Sequence, residues 1–162
     1  MKITINPFDG ESIASAIEAI QKYRDDIEDK EKKFVERLAE IGVQVAGDGY
    51  SVADSDGIND VKVSVKLDGS SAAIIAEGKT VGFIEFGTGV RYREYNSAGL
   101  EYTPPAHGTY GKGRGKNPKG WFFSNSPGSA QHTYGNPPAE VMLTTRDEII
   151  SQIVRVAREV WR

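Results

Sequence analysis

The chain has 162 residues, of which 38% are hydrophobic and 27% charged, with a formal net charge of −3. That length suits one domain able to bury roughly 70% of its unfolded surface, and the negative balance argues against wholesale binding of nucleic acid. The absence of cysteine excludes disulfide frames and thiolate zinc sites; no stretch approaches the ~20 apolar residues of a membrane-spanning helix, and "MKITINPFDG" lacks a secretory pattern.

Lys2 to Ile5 alternates polar with apolar and reads as a short strand. From 12 to 46 apolar residues recur every three to four positions, among them Ile13, Ile17, Ile20, Ile27, Phe34 and Leu38, which predicts helix. Asp9 or Ser12 supplies the cap. The acid- and base-rich "RDDIEDKEKK" at 24–33 is either a break between two helices or a solvated stretch of one, and Gly47 and Gly49 are expected to end the run. "SVADSDGIND" is turn-rich. "VKVSVKLDG" then alternates strictly, which places Val61, Val63, Val65 and Leu67 on one face of a strand closed by an Asp-Gly turn, with "AAIIAEG" as its hairpin partner. "TVGFIEFG" is another strand or a single helical turn.

Residues 88–120 are rich in glycine and include Pro104, Pro105 and Pro118. They predict a long irregular loop, anchored by few aromatics and mobile in an isolated subunit. "KGWFF" and "QHTYG" read as two short strands around "SNSPGSA". Pro137 and Pro138 suit the first turn of a closing helix over about 144–161. Its apolar residues form two adjacent stripes, Ile149, Ile153, Val156, Val160 and Ile150, Val154, Ala157, Trp161, broad enough to meet a sheet or a neighbouring subunit. The fold class is therefore α+β: a long N-terminal helix or helix pair, a small mostly antiparallel sheet built from hairpins, a long loop and a C-terminal amphipathic helix.

No motif spells out a catalytic chemistry. "GTYGKGRGKNPKG" lacks the spacing of a phosphate-binding loop, because Ala106 stands where the first glycine belongs. Its Lys112, Arg114, Lys116 and Lys119 could meet four phosphates, with a modest salt slope of about −3.6, and the flanking Tyr110 and Trp121 could stack on bases. A solvated loop, or one docked on an acidic protein surface, is favoured over that reading. His107 and His132, the two histidines, have no partner spacing for catalysis. "DSDGIND" departs from a calcium ladder because Gly57 follows Asp56 directly. Glu85, between Ile84 and Phe86, is a lone carboxylate among apolar neighbours; such a group has a raised pKa, or bonds the backbone N–H groups of the turn at Gly87, Thr88 and Gly89. Gly87 itself is expected to take a positive φ.

"FIEFGTGV" at 83–90, a variable loop, "GWFF", "HTYGNPPAEVM" and a closing amphipathic helix together resemble the tailed-phage minor tail-component family, the HK-ninety-seven gene-ten-like group of neck and tail-completion proteins. The similarity spans roughly 26–162. It implies a single domain with a core over 25–162 carrying the loop 88–120, and residues 1–24 stand as an N-terminal extension. The resemblance further implies a non-enzymatic part of a virion or prophage particle, assembled in the bacterial cytoplasm, without cofactor, metal or membrane. Its partners would be copies of itself, in a ring that is six-fold if it sits at the tail end, other tail or neck proteins, and passing DNA. Glu85, Phe86, Gly87, Thr88, Gly89, with the aromatics Tyr92, Tyr95, Tyr102, Tyr110 and Trp121, are then turn or subunit-contact candidates. The alternative is a non-specific nucleic-acid-binding module using the basic loop 110–120. Ten acids against six bases over 9–45 suit self-association better than DNA.

Overall fold

The computed structural model describes residues 2–53, 59–88, 119–124, 126–136 and 138–162. Its elements are α1 (Gly10–Val52), β1 (Lys62–Asp68), β2 (Ser71–Glu77), α2 (Val81–Phe86), β3 (Trp121–Phe123), β4 (Gln131–Thr133) and α3 (Val141–Val160). The class is α+β. Residues 2–6 form no strand.

The long helix is one element of 43 residues. Asp9 is its cap: the carboxylate accepts from the Glu11 N–H at 3.1 Å. Ser12 instead accepts the Asn6 N–H at 2.9 Å and ties the leading residues to the first turn. The polar stretch does not break the helix. Arg24 bridges to Glu28, and Lys30 to Asp26, at the i,i+4 spacing that supports a helix by a few tenths of a kcal/mol per exposed pair.

Gly47 and Gly49 do not stop it either, which corrects the expected end. Gly49 gives close passage to α3, since a Cβ there would stand 2.7 Å from Val141 Cγ1. Gly42, seven residues earlier on the same face, does likewise: a Cβ would overlap Ile74 Cδ1 and stand 2.8 Å from Ile149 Cδ1. Of the two expected stops, Gly49 is a contact point, while a Cβ at Gly47 would meet nothing within 4 Å. The helix ends at Ala53, whose backbone is extended (φ −60°, ψ 127°).

Helix α3 runs antiparallel along the second half of α1, with Val141 near Gly49 and Ile149 near Gly42. At its far end Trp161 packs edge-on against Phe34, ring centroids 5.2 Å apart. The α3 helix therefore packs on a helix, not on a sheet. The core gathers Ala46, Tyr50, Ile84 and Val141, with Val61, Val63, Ile74, Ala76 and Met142 partly buried against it.

The hairpin β1–β2 is antiparallel, pairing Lys62 with Glu77 through Asp68 with Ser71. The turn centres on Gly69 and Ser70, one residue later than an Asp-Gly turn, and Gly69 has φ 59°. Only the base of the expected apolar face is covered: Val61 and Val63 are half-buried, whereas Val65 and Leu67 are 41% and 48% exposed. A two-stranded hairpin is marginal alone, and it is stabilised here where Ile74 meets α1. The second hairpin, β3–β4, is a separate two-stranded sheet pairing Trp121 with Thr133.

"TVGFIEFG" resolves as the short helix α2, not a strand. Helix α3 begins at Val141, and Pro138 lies before it, which corrects the first-turn proline reading; Pro137 lies outside the described residues. The cause is backbone pairing. The Ala139 and Glu140 N–H groups donate to the carbonyls of Ile84 (2.9 Å) and Glu85 (3.2 Å), so this segment lies against α2 and the helix starts only after it.

Candidate functional site

Three segments remote in sequence meet at Glu85. It lies in α2, which holds it between Ile84 and Phe86, and is 5% exposed. Its Oε2 accepts from the Tyr50 hydroxyl of α1 at 2.9 Å and from the Val141 N–H at 3.0 Å. Its Oε1 accepts from the Met142 N–H at 3.0 Å. Val141 and Met142 are the first residues of α3, and Glu140 before them makes no side-chain cap of its own. The carboxylate is thus an N-cap supplied from another helix, and its charge faces the positive end of the α3 dipole.

The expectation that Glu85 bonds the turn just after it is corrected: its donors lie 35, 56 and 57 residues away along the chain. Burial pushes its pKa up, against the Tyr50 hydroxyl and the Met142 and Val141 N–H groups that pull it down; the charge of Glu140 adds to the rise. The Tyr50 hydroxyl is driven far up, first by burial and then by Glu85, so it remains a donor.

The turn after α2 is also fixed. Gly87 has φ 70° and ψ 170°, a backbone region that essentially only glycine occupies, as expected of that position. Buried Thr88 then pairs twice with Asn136: its N–H donates to the Asn136 carbonyl at 2.8 Å, and its hydroxyl accepts the Asn136 N–H at 3.0 Å. Glu85, Gly87 and Thr88 therefore share one junction, joined by Phe86, which is half-buried. It seats the chain that leads into α3.

A second carboxylate plays a similar part. Asp60 accepts the Lys79 and Thr80 N–H groups, both at 3.0 Å, and the Thr80 hydroxyl. These bonds, the Thr80 hydroxyl foremost, hold its pKa down at about 2. Asn59 beside it donates to the Tyr50 carbonyl at 2.6 Å. The end of the "DSDGIND" stretch is thus engaged in fixing β1 and the turn before α2; residues 54–58 lie outside the described residues. Among the described residues no three His, Asp or Glu side chains gather as metal ligands. No helix described is long and apolar enough to cross a membrane.

Of the other candidates, Trp121 is half-buried in β3 and pairs with Thr133. Lys119 is exposed, and its carbonyl accepts from His132 Nε2 at 3.0 Å. His132 lies in β4 with its ring between Phe122 and Tyr134, 5.0 and 4.8 Å away. Gly89, Tyr92, Tyr95, Tyr102, Tyr110, Lys112, Arg114 and Lys116, with His107, lie outside the described residues. Tyr50 and Asp60 were missed. Extending the three-to-four period from Ile41 and Ala46 past the two glycines points to Tyr50; nothing local marks Asp60 within its acid-rich turn.

Large apolar side chains are also exposed among the described residues. Ile13, Ile17, Ile20, Tyr23 and Ile27 are 39–55% exposed along the first half of α1, and Phe8 before it is 97% exposed. A second apolar stripe, Ile150, Ile153, Val154 and Trp161, is 40–58% exposed on α3. An open cleft of about 480 Å³ lies between the end of α1 and β1, lined by Val43, Tyr50, Asn59 and Val61 among others. Comparison with protein-family models, curated proteins and solved structures finds no match for this chain.

Proposed function

We propose that this chain is a structural subunit of a tailed-phage, prophage or phage-like tail particle. It acts at the neck or tail end, in head-tail joining or tail completion, by associating with copies of itself and with neighbouring particle proteins. It carries out no catalysis and works without cofactor.

One observation carries the reading. The α1 helix outruns its partner α3, which ends beside Phe34. About 24 residues of α1 precede that point, an arm of about 36 Å at 1.5 Å per residue. Large apolar side chains stand exposed along it at helical spacing. An exposed apolar stripe of this size marks an interaction surface. The resemblance of residues 83–90, 120–123 and 132–142 to the tail-component family supplies the kind of particle, and the junction at Glu85 gives a role to that stretch: it fixes where α3 starts.

Deleting the gene in the strain that carries it tests the proposal by electron microscopy of the particles made. Unjoined heads and tails, or tails of irregular ending, restored by the gene in trans, are expected. Normal joined particles of undiminished titre would overturn the role.

A further inference from the structure

The arm and the outer face of α3 are two apolar stripes left 39–58% exposed on one molecule, with Trp161 at the end of the second also touching Phe34. We infer that they are each other's partners between copies: the α1 arm of one subunit packs on the α3 outer stripe of the next. This rests on the self-association proposed above and specifies its geometry.

The two stripes match in shape. Ile13, Ile17, Ile20 and Ile27 follow one face of the arm, the face that continues through Phe34 and Leu38 into the contact with α3 of the same chain. The arm stripe spans about 21 Å from Ile13 to Ile27, and the α3 stripe about 17 Å from Ile150 to Trp161. The second stripe adjoins the face that α3 buries with Val156 and Val160. An incoming arm thus extends a helix-helix contact already made within the chain.

The charges also match. Over residues 10–33 the arm has seven acids and five bases, a net charge of −2. Over 150–162 the α3 end has three bases, Arg155, Arg158 and Arg162, against Glu159 alone. An arm paired with another arm sets like net charges together; an arm on the α3 end sets a net negative helix against a net positive one.

The areas suffice. At roughly 200 Å² for a fully exposed large apolar residue, each stripe offers about 450 Å², or about 900 Å² for the pair. Interfaces are a little over half apolar, so the contact with its polar rim reaches about 1,600 Å², the standard size for a specific complex. Each copy carries one arm and one acceptor. The contact is therefore head-to-tail, and its repetition closes into a ring or continues as a filament.

Light scattering over a concentration series, on the full-length chain, tests this with two variants at exposed positions. Ile20→Asp spoils the arm, and Val154→Asp spoils the acceptor; circular dichroism and the thermal midpoint check that both stay folded. Each is expected to be monomeric, with association weakened at least ~100-fold by the buried charge. Mixed together they are expected to form a 1:1 dimer and nothing larger, because one intact arm and one intact acceptor remain. If Val154→Asp still associates while Ile20→Asp does not, arms pair with arms and the inference is overturned. If both variants associate like the wild type, the inference is overturned while the assembly role stands. If the wild type stays monomeric at every concentration, both this geometry and the self-association beneath it fall.

Discussion

Replacing Glu85 tests whether one carboxylate joins the three helices. Glu85→Ala removes the acceptor of the Tyr50 hydroxyl and of the Val141 and Met142 N–H groups, all within 3.0 Å. Each buried donor left without a partner costs about 1–3 kcal/mol, and losing a helix cap costs about 1 kcal/mol. Relief from burying a charge offsets part of this, so the net loss is about 4 kcal/mol. Glu85→Gln retains one oxygen and turns an amide NH₂ toward at least one of the donors, for a loss of about 2 kcal/mol. In a chain of this length 1 kcal/mol moves the thermal midpoint by about 2–4 °C. The glutamine variant should therefore melt about 4–8 °C lower, and the alanine variant about twice that. The pH dependence has a definite sign. The carboxyl is held above its ordinary value in the fold, so its contribution is full below the unfolded pKa near 4.5 and is lost as pH rises through the folded value. The gap between wild type and Glu85→Gln should widen as pH falls from 7 and level off below about 4.5. Urea titrations across that range measure it. An alanine variant within 1 kcal/mol of wild type, or a gap that narrows on acidification, would refute the reasoning.

Gly87→Val forces a branched side chain into φ 70°, ψ 170° and should cost about 1–3 kcal/mol in chemical denaturation; an unchanged midpoint would remove the strain argument. Gly42→Ala gains about 1 kcal/mol of helix propensity yet puts a Cβ onto Ile74 and Ile149. Net destabilisation is expected, and a more stable variant would show that the two helices separate freely there. Asp60, with its pKa held down at about 2, stabilises the fold above its ordinary value near 3.8 and loses that contribution as pH falls toward 2. Asp60→Asn should flatten the acid limb of the pH-stability curve over that interval; an identical limb would disprove the linkage.

What was legible in the sequence was what short-range pattern carries. The three-to-four recurrence from Ile13 to Val45 marks α1, and strict alternation from Val61 to Leu67 with Asp68-Gly69 marks the first hairpin. The end of α1 was not legible, because whether a glycine stops a helix depends on what lies opposite: Val141 faces Gly49 from 92 residues away along the chain. The start of α3 was lost for the same reason. Prolines bias a first turn, but the pairing of Ala139 and Glu140 with Ile84 and Glu85 overrides that bias. At the candidate site, Glu85 and Gly87 stood out as a charge among apolar neighbours and a glycine at a turn. The partners of Glu85, namely Tyr50, Val141 and Met142, did not, nor did the Asn136 that pairs with Thr88, since hydrogen bonds across long separations leave no periodic trace.

The junction at Glu85 also orders events in time. The carboxylate needs a hydroxyl from 35 residues upstream and amides from 56 and 57 residues downstream before its burial is compensated. Until α3 arrives, α2 has a charge it has no reason to bury, and α3, without the carboxylate, has no cap. Neither segment gains by docking first, so they close together, across large loops whose entropy must be met before any of these bonds rewards it. Helix α3 also follows α1, α2 and both hairpins in chain order. During synthesis the long helix and first hairpin can form before α3 has emerged, but the joint that unites them cannot. Closure is then the late step of folding, and substitutions at Val141 or Met142 should speed unfolding while leaving the folding rate nearly unchanged.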